Sequence, residues 1–284
     1  MYIDPSIETV EGMIMMNQHG ECGSYASNEN FRAFCKERNL AIFDFYDGAN
    51  GDLKWFNNPE TIPMLMAKIA EFAHSTGHPE LNYVPFATIG HSNGAAAAGR
   101  LARDIPERAF AVIAYKSAWG EYFGYQELID NKIPVFAITG EDDVAWGYHD
   151  QIHTAERMVA QGLPVTYVQH PGGGHGGMTT TEDIMLAFLD EAYKAKVKNA
   201  TVSGSGVTMN QVDIENGYIG YGDYTETEQS GKMVYSYENP QYMTYTAYKE
   251  TLKTNSSFLA QAWLFNEDFA KKWVNFNKTG SITD

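Results

Sequence analysis

The sequence predicts an α/β protein with a mostly parallel central sheet and helices on both faces. Three observations carry this. Short apolar runs alternate with amphipathic stretches of helical length, as in repeated strand–helix–strand units. The runs are apolar throughout rather than at every second position, which is the pattern of strands covered on both faces. The alternation persists from residue 12 to residue 196 of a 284-residue chain, long enough to bury a sizeable core.

Residues 12–20 (GMIMMNQHG) are an apolar run closed by glycine, read as the first strand. Residues 28–39 place Phe31, Phe34 and Cys35 at helical spacing. A second strand covers 40–48 (LAIFDFYDG) and ends in a turn. Residues 60–77 form a helix with Met64, Ile69 and Phe72 apolar and Gly77 as its stop. Strands follow at 84–90, 109–118, 133–140 and 164–170, with helices at 94–106, 148–162 and 180–196.

Residues 197–284 differ. The stretch NATVSGSGVT reads as a linker or exposed turn. Tyrosine is dense from Tyr218 to Tyr248, as in a twisted hairpin with Tyr on both faces. Residues 265–280 read as one amphipathic helix with Asn266 as N-cap. This segment has few aliphatic core positions of its own. It could be a small subdomain, but is expected to pack on the domain formed by 1–196 as an extension, where it could also lid a site or bind a polymer.

Composition excludes some partners. With 36 acidic and 20 basic residues the net charge is −16, which repels phosphate backbones and anionic lipid surfaces, so no nucleic-acid or membrane partner is expected. No apolar run is long enough to span a bilayer. Cys22 and Cys35 could form one disulfide, but two cysteines set no framework and no Cys/His spacing suggests a metal. Cys22 reads as a small buried residue. Residues 1–12 lack a basic n-region and an apolar h-region, so no signal peptide is expected. That leaves a cytoplasmic protein, or a secreted or periplasmic one whose signal has been removed. Oligomeric state is open.

The chemistry gathers around IGHSNG. Ser92 lies between Gly90 and Gly94 in a G-x-S-x-G pattern, with a strand before it and a helix after it. That context turns a weak motif into a nucleophile elbow, in which a tight turn lifts the serine oxygen clear of the sheet edge. The bland alternative is a helix N-cap serine. A serine nucleophile needs a histidine base oriented by a carboxylate, following in the order serine, acid, histidine. A strand runs into Glu141, Asp142 and Asp143, any of which could be the acid. The next runs into Pro171 and a glycine-rich loop holding His175. His170 reads as structural, His149 and His153 as surface residues, and His91 as turn support. An oxyanion would be met by the N–H of Asn93 and by one from the loop after the first strand, placed on Glu21 with Cys22 as runner-up. No cofactor or metal is needed.

Ser92, the acid loop, His175 and the His19-Gly20 pair resemble the α/β-hydrolase superfamily. The stretch from STGHPELNYVPFATIGHSNG to PERAFAVIAYKS is similar to bacterial serine esterases related to polyhydroxybutyrate depolymerases and to feruloyl and acetylxylan esterases. The resemblance spans about residues 12–196. It implies an α/β-hydrolase fold, and residues 197–284 lie beyond it as a C-terminal extension. It favours Asp143 as the acid, three residues past Gly140, with Asp142 next. Two departures stand out. Ala95 replaces a frequent second glycine. Only about ten residues precede the first strand, so one or both antiparallel edge strands should be missing or truncated, giving a shortened N-terminal edge.

The expected activity is hydrolysis of a carboxylic ester, small or polymeric. A peptidase or amidase with the same residues, and a non-catalytic binding protein on a hydrolase scaffold, are the alternatives. Trp119, Tyr122, Phe123, Trp146, Trp55 and Phe56 follow strands where a cleft would form. Trp119 and Trp146 are the foremost substrate-binding candidates, since aromatic walls suit an aryl or acyl group or a sugar ring.

Overall fold

The computed structural model describes residues 1–17, 19–45, 60–117, 125–143, 151–203, 206–229 and 232–283. Six parallel strands form its centre: β1 (Gly12–Asn17), β2 (Leu40–Phe45), β3 (Phe86–His91), β4 (Ala109–Tyr115), β5 (Val135–Gly140) and β6 (Val165–His170). They lie in the order β2-β1-β3-β4-β5-β6. Between them run α1 (Cys22–Tyr25), α2 (Glu29–Glu37), α3 (Thr61–Thr76), α4 (Asn93–Asp104), α5 (Tyr125–Asp130) and α6 (Gln151–Ala160), and α7 (Glu182–Lys196) follows β6. This is the α/β-hydrolase architecture the sequence implies.

The period of two along each strand sorts the core into two layers. Met13 and Met15 of β1 pack with Leu65 and Ile69 of α3, Leu101 of α4 and Met158 of α6. Ile14 and Met16 face the other way, toward Phe31 and Phe34 of α2 and Phe188 of α7. Both faces are covered, so the strands need no polar face. Local signals set the helix ends. Asn28 caps α2 by accepting from the Phe31 N–H at 2.9 Å. Gly77 closes α3 in the left-handed region, where a Cβ would be strained.

At the β2 end the sheet stops short. Among the described residues its outer edge carries only a one-residue antiparallel bridge, Tyr2 to Ile42.

The opposite edge is built by the C-terminal segment. After a small hairpin, β7 (Thr201–Ser203) with β8 (Gly206–Thr208), come β9 (Tyr218–Gln229), β10 (Lys232–Thr244), α8 (Tyr245–Thr254), β11 (Ala262–Leu264) and α9 (Glu267–Thr279). Strand β11 inserts antiparallel between β6 and β9, and β10 closes the edge, giving one nine-stranded sheet. The segment is therefore part of the central sheet. Trp273 of α9 is fully buried and donates its indole N–H to the Tyr167 carbonyl at 2.6 Å. Asn277 accepts from the Gln169 N–H at 2.9 Å. The Thr166 hydroxyl donates to the Trp263 carbonyl at 2.7 Å.

Several elements differ from the sequence reading. The turn expected around residues 199–208 is the β7–β8 hairpin, and the short helices α1 and α5, helix α8 and strand β11 have no counterpart in it. The α8 sequence has one buried residue, Tyr248, so its apolar period is weak, and it is set by the Thr244 cap accepting from the Ala247 N–H.

Candidate active site

The turn after β3 places Ser92 at φ 54°, ψ −127°, a conformation that costs a non-glycine residue about 1–3 kcal/mol and persists only where its surroundings hold it. The Ser92 N–H donates to the Tyr115 carbonyl at 2.9 Å and its own carbonyl accepts from the Ala95 N–H at 3.0 Å. Gly90 is required by close approach, because a Cβ there would lie 2.0 Å from the Gly94 carbonyl oxygen. Asn93 opens α4, so its N–H is among the first-turn donors that have no partner within the helix.

The three acids after β5 have three different surroundings. Glu141 accepts from the Gly172 N–H at 2.8 Å and the Ser236 hydroxyl at 2.7 Å, bracing the His175 loop and the β10 strand together. Asp142 is exposed. Asp143 is buried, and its Oδ2 accepts from His175 Nδ1 at 2.8 Å. That bond uses Nδ1–H and leaves Nε2 as the basic nitrogen.

His91 is wedged between two loops. Its Nδ1 accepts from the Glu21 N–H at 3.1 Å, so its Nε2 carries the proton and donates to the His175 carbonyl at 2.9 Å. Burial pushes its imidazole down to about 4, which keeps it neutral and in this tautomer near neutral pH. The His91 and His175 rings lie 4.9 Å apart, which brings the elbow and the His175 loop together. Gly20, at φ 61°, gives way to this ring: a Cβ there would lie 1.9 Å from His91 Nδ1.

The same bond bears on the second oxyanion donor expected from the sequence. The Glu21 N–H is committed to His91, and the Cys22 N–H, the runner-up, is directed at the His19 carbonyl at 3.4 Å. For Glu21 to serve, its bond to His91 would have to break. The Glu21 side chain has another partner: its carboxylate accepts from the Met178 N–H at 2.7 Å. Burial works to raise this carboxyl, and the Met178 and Gly177 N–H groups outweigh it, holding the group below its ordinary value.

Lys116 is the residue that sequence reasoning missed. It follows β4 at φ 47° and is completely buried. Its ammonium donates to the carbonyls of Gly174 and Gly176, on either side of His175. Burial pushes it down to about 8, opposed by the carboxylates of Asp143 and Glu21. A lysine at the end of an apolar strand was the only available signal.

Other expectations fall out as follows. Cys22 and Cys35 are free and buried. His153 is not a plain surface residue: its Nδ1 meets Glu156 at 3.1 Å and the Tyr224 hydroxyl at 3.3 Å, because β9 covers this part of α6. Trp55, Phe56, Trp119, Tyr122, Phe123, Trp146 and His149 lie outside the described residues. Among the described residues no group of three or more His, Cys, Asp and Glu is placed to hold a metal ion, and no helix is long and apolar enough to cross a membrane.

No family model and no curated protein matches this chain. Solved structures similar to it include Est1E from Butyrivibrio proteoclasticus, 14% identical, covering 66% of this chain and 90% of that one, with a TM-score of 0.45. An S-formylglutathione hydrolase from Agrobacterium tumefaciens is 14% identical over 68% and 87%, with a TM-score of 0.48. Esterase PE8 is 19% identical over 66% and 94%, with a TM-score of 0.44. At these scores the likeness adds no weight; the α/β-hydrolase architecture rests on the sheet order and the strand–turn–helix at Ser92.

Proposed function

We propose that this protein is a serine hydrolase that cleaves carboxylic esters. The observation that carries the reading is the His175–Asp143 hydrogen bond, set beside an elbow that holds Ser92 at positive φ. Ser92 Oγ attacks the ester carbonyl while His175 Nε2 takes its proton. Asp143 holds Nδ1–H and stabilises the imidazolium. The Asn93 N–H meets the oxyanion. Collapse of the tetrahedral intermediate breaks the ester C–O bond, and His175 returns the proton to the departing alkoxide. Water, deprotonated by His175, then attacks the acyl-serine; the bond from the acyl carbon to Ser92 Oγ breaks, His175 returns the proton to Ser92, and the acid leaves.

A buried carboxylate on a histidine beside a positive-φ serine is a costly arrangement with no evident use in packing. That favours an enzyme over a binding protein on the same scaffold. The substrate is a small or polymeric ester, with acylated carbohydrates, aromatic esters and polyesters as the classes to assay. The test is hydrolysis of p-nitrophenyl acetate with labelling by a fluorophosphonate. Wild type should turn over the ester and gain the label's mass on Ser92, and Ser92→Ala should do neither. Undiminished hydrolysis by Ser92→Ala would sink the reading. Peptide amides run in parallel separate an esterase from a peptidase.

A further inference from the structure

The loop that carries His175 has glycine at 172, 173, 174, 176 and 177. Left to itself such a loop would sample many conformations. In this structure its peptide groups are taken up one after another by side chains or main chain from other elements. The Gly172 N–H goes to Glu141 and the Gly173 carbonyl accepts from the Asp142 N–H at 2.9 Å. The carbonyls of Gly174, His175 and Gly176 go to Lys116, His91 and Lys116. The Met178 N–H goes to Glu21, and the Met178 carbonyl to the Tyr25 hydroxyl.

Lys116 is central to this set. An amide carbonyl is a weak reward for burying an ammonium, so a completely buried lysine paired with two carbonyls needs a reason. Its two acceptors bracket His175. The groups facing it are Asp143 from the β5 loop, Glu21 from the β1 loop, the Tyr115 ring with Nζ 5.2 Å from its centroid, and His170 at the end of β6. Lys196 offers a contrast. It is also buried, but its Nζ donates to the Asn131 carbonyl at 2.8 Å, just past α5, where a cation satisfies helix-end carbonyls. Lys116 serves no helix end; both its bonds go to the His175 loop.

We propose that Lys116 is a positioning residue for His175: with His91 and Glu21 it clamps the glycine-rich loop so that the imidazole meets Asp143. The proposal rests on the serine-hydrolase reading only for its effect on rate. The placement of His175 is testable without it. At Gly176 the loop also packs closely on Glu21: a Cβ there would lie 2.6 Å from Glu21 Oε1. A clamp of this kind supplies the preorganisation that proximity catalysis requires, where a displacement of about 1 Å costs about 10²-fold.

The experiment uses wild type, Lys116→Met, which keeps the stem length and removes the donors, and Glu21→Gln, which keeps an acceptor but loses the charge. Each is measured for thermal unfolding, for ester kinetics per fluorophosphonate-titrated site, and for the far-downfield proton resonance of the His175–Asp143 hydrogen bond, assigned by its loss in Asp143→Asn. Lys116→Met should fold, with Tm lowered by no more than a few degrees. Its kcat should fall roughly 10- to 100-fold with KM nearly unchanged, and its downfield resonance should vanish or broaden. Glu21→Gln should show the same pattern more weakly.

A lysine that only supports the fold would lower Tm and leave the resonance and the kcat per folded site intact, and that result overturns the clamp. If Lys116→Met does not fold, an unchanged resonance and kcat in Glu21→Gln overturns it instead. If wild type neither hydrolyses esters nor takes the label, the hydrolase reading fails. The resonance in wild type and variants then still decides whether the clamp exists.

Discussion

His175 Nδ1 and Asp143 Oδ2 are 2.8 Å apart, with the carboxylate buried at 2% exposure and neighbouring Asp142 in solvent. One residue of register in the loop after β5 thus separates an acid that can hold the imidazole from one that cannot. Asp143→Asn is expected to lower kcat by roughly 10³- to 10⁴-fold, because an amide favours the wrong tautomer. Asp142→Asn should leave kcat nearly unchanged. Steady-state kinetics on an aryl ester compares the two, and equal losses would contradict the assignment.

Stability should depend on pH through two histidines. Burial pushes both His91 and His170 from 6.5 down to about 4. Between those values the unfolded chain binds protons that the folded chain does not, so stability rises with pH. Their contribution is complete above about pH 6.5 and is lost as pH falls toward 4. For His91 the difference amounts to about 3 kcal/mol. Urea unfolding between pH 5 and 6.5 should show this slope, and His91→Gln should reduce it by close to one proton. An unaltered slope in the variant would contradict the burial argument.

The C-terminal segment should not be dispensable. Trp273 is fully buried against Gly220, and its N–H is held by Tyr167 on β6. Trp273→Ala is expected to cost about 3–5 kcal/mol in urea unfolding. A chain ending at Lys196 would expose the edge of β6 and the apolar face under α9, and should not give soluble folded protein.

The elbow should not tolerate a methyl group at its first glycine. Gly90→Ala places a Cβ 2.0 Å from a main-chain oxygen in α4, and backbone has little room to yield. Circular dichroism should show a destabilised protein, and fluorophosphonate labelling of Ser92 should be abolished or strongly slowed. Full labelling would mean that the turn can rearrange.

Both thiols are fully buried and burial raises them well above the ordinary thiol range. Neither should react with Ellman's reagent until the protein is unfolded, and then two thiols should appear. A reaction in the native state would show that one of them is reachable.

Much of the centre was legible because its signals are local. Apolar runs of strand length, the stop at Gly77 and the cap Asn266 each depend on a few adjacent residues. Ser92, the acid loop and His175 could be located because strand ends set the order in which loops reach one edge of a parallel sheet. The extension was harder to read. Strand β11 has three residues, and it is a strand only because β6 and β9 lie on either side of it.

The sequence by itself determined the layered architecture, the serine turn and the candidate partners for Ser92. It did so because helix and strand periods, glycine and capping chemistry act within a few residues. Only the tertiary structure decided which of three adjacent acids meets His175, that the Glu21 N–H goes to His91, and that the Lys116 ammonium donates to the Gly174 and Gly176 carbonyls. Those outcomes depend on contacts between residues 32 to 70 positions apart, such as Glu21 with His91. Burial and hydrogen-bond direction, which no local pattern encodes, select among side chains that the sequence leaves equivalent.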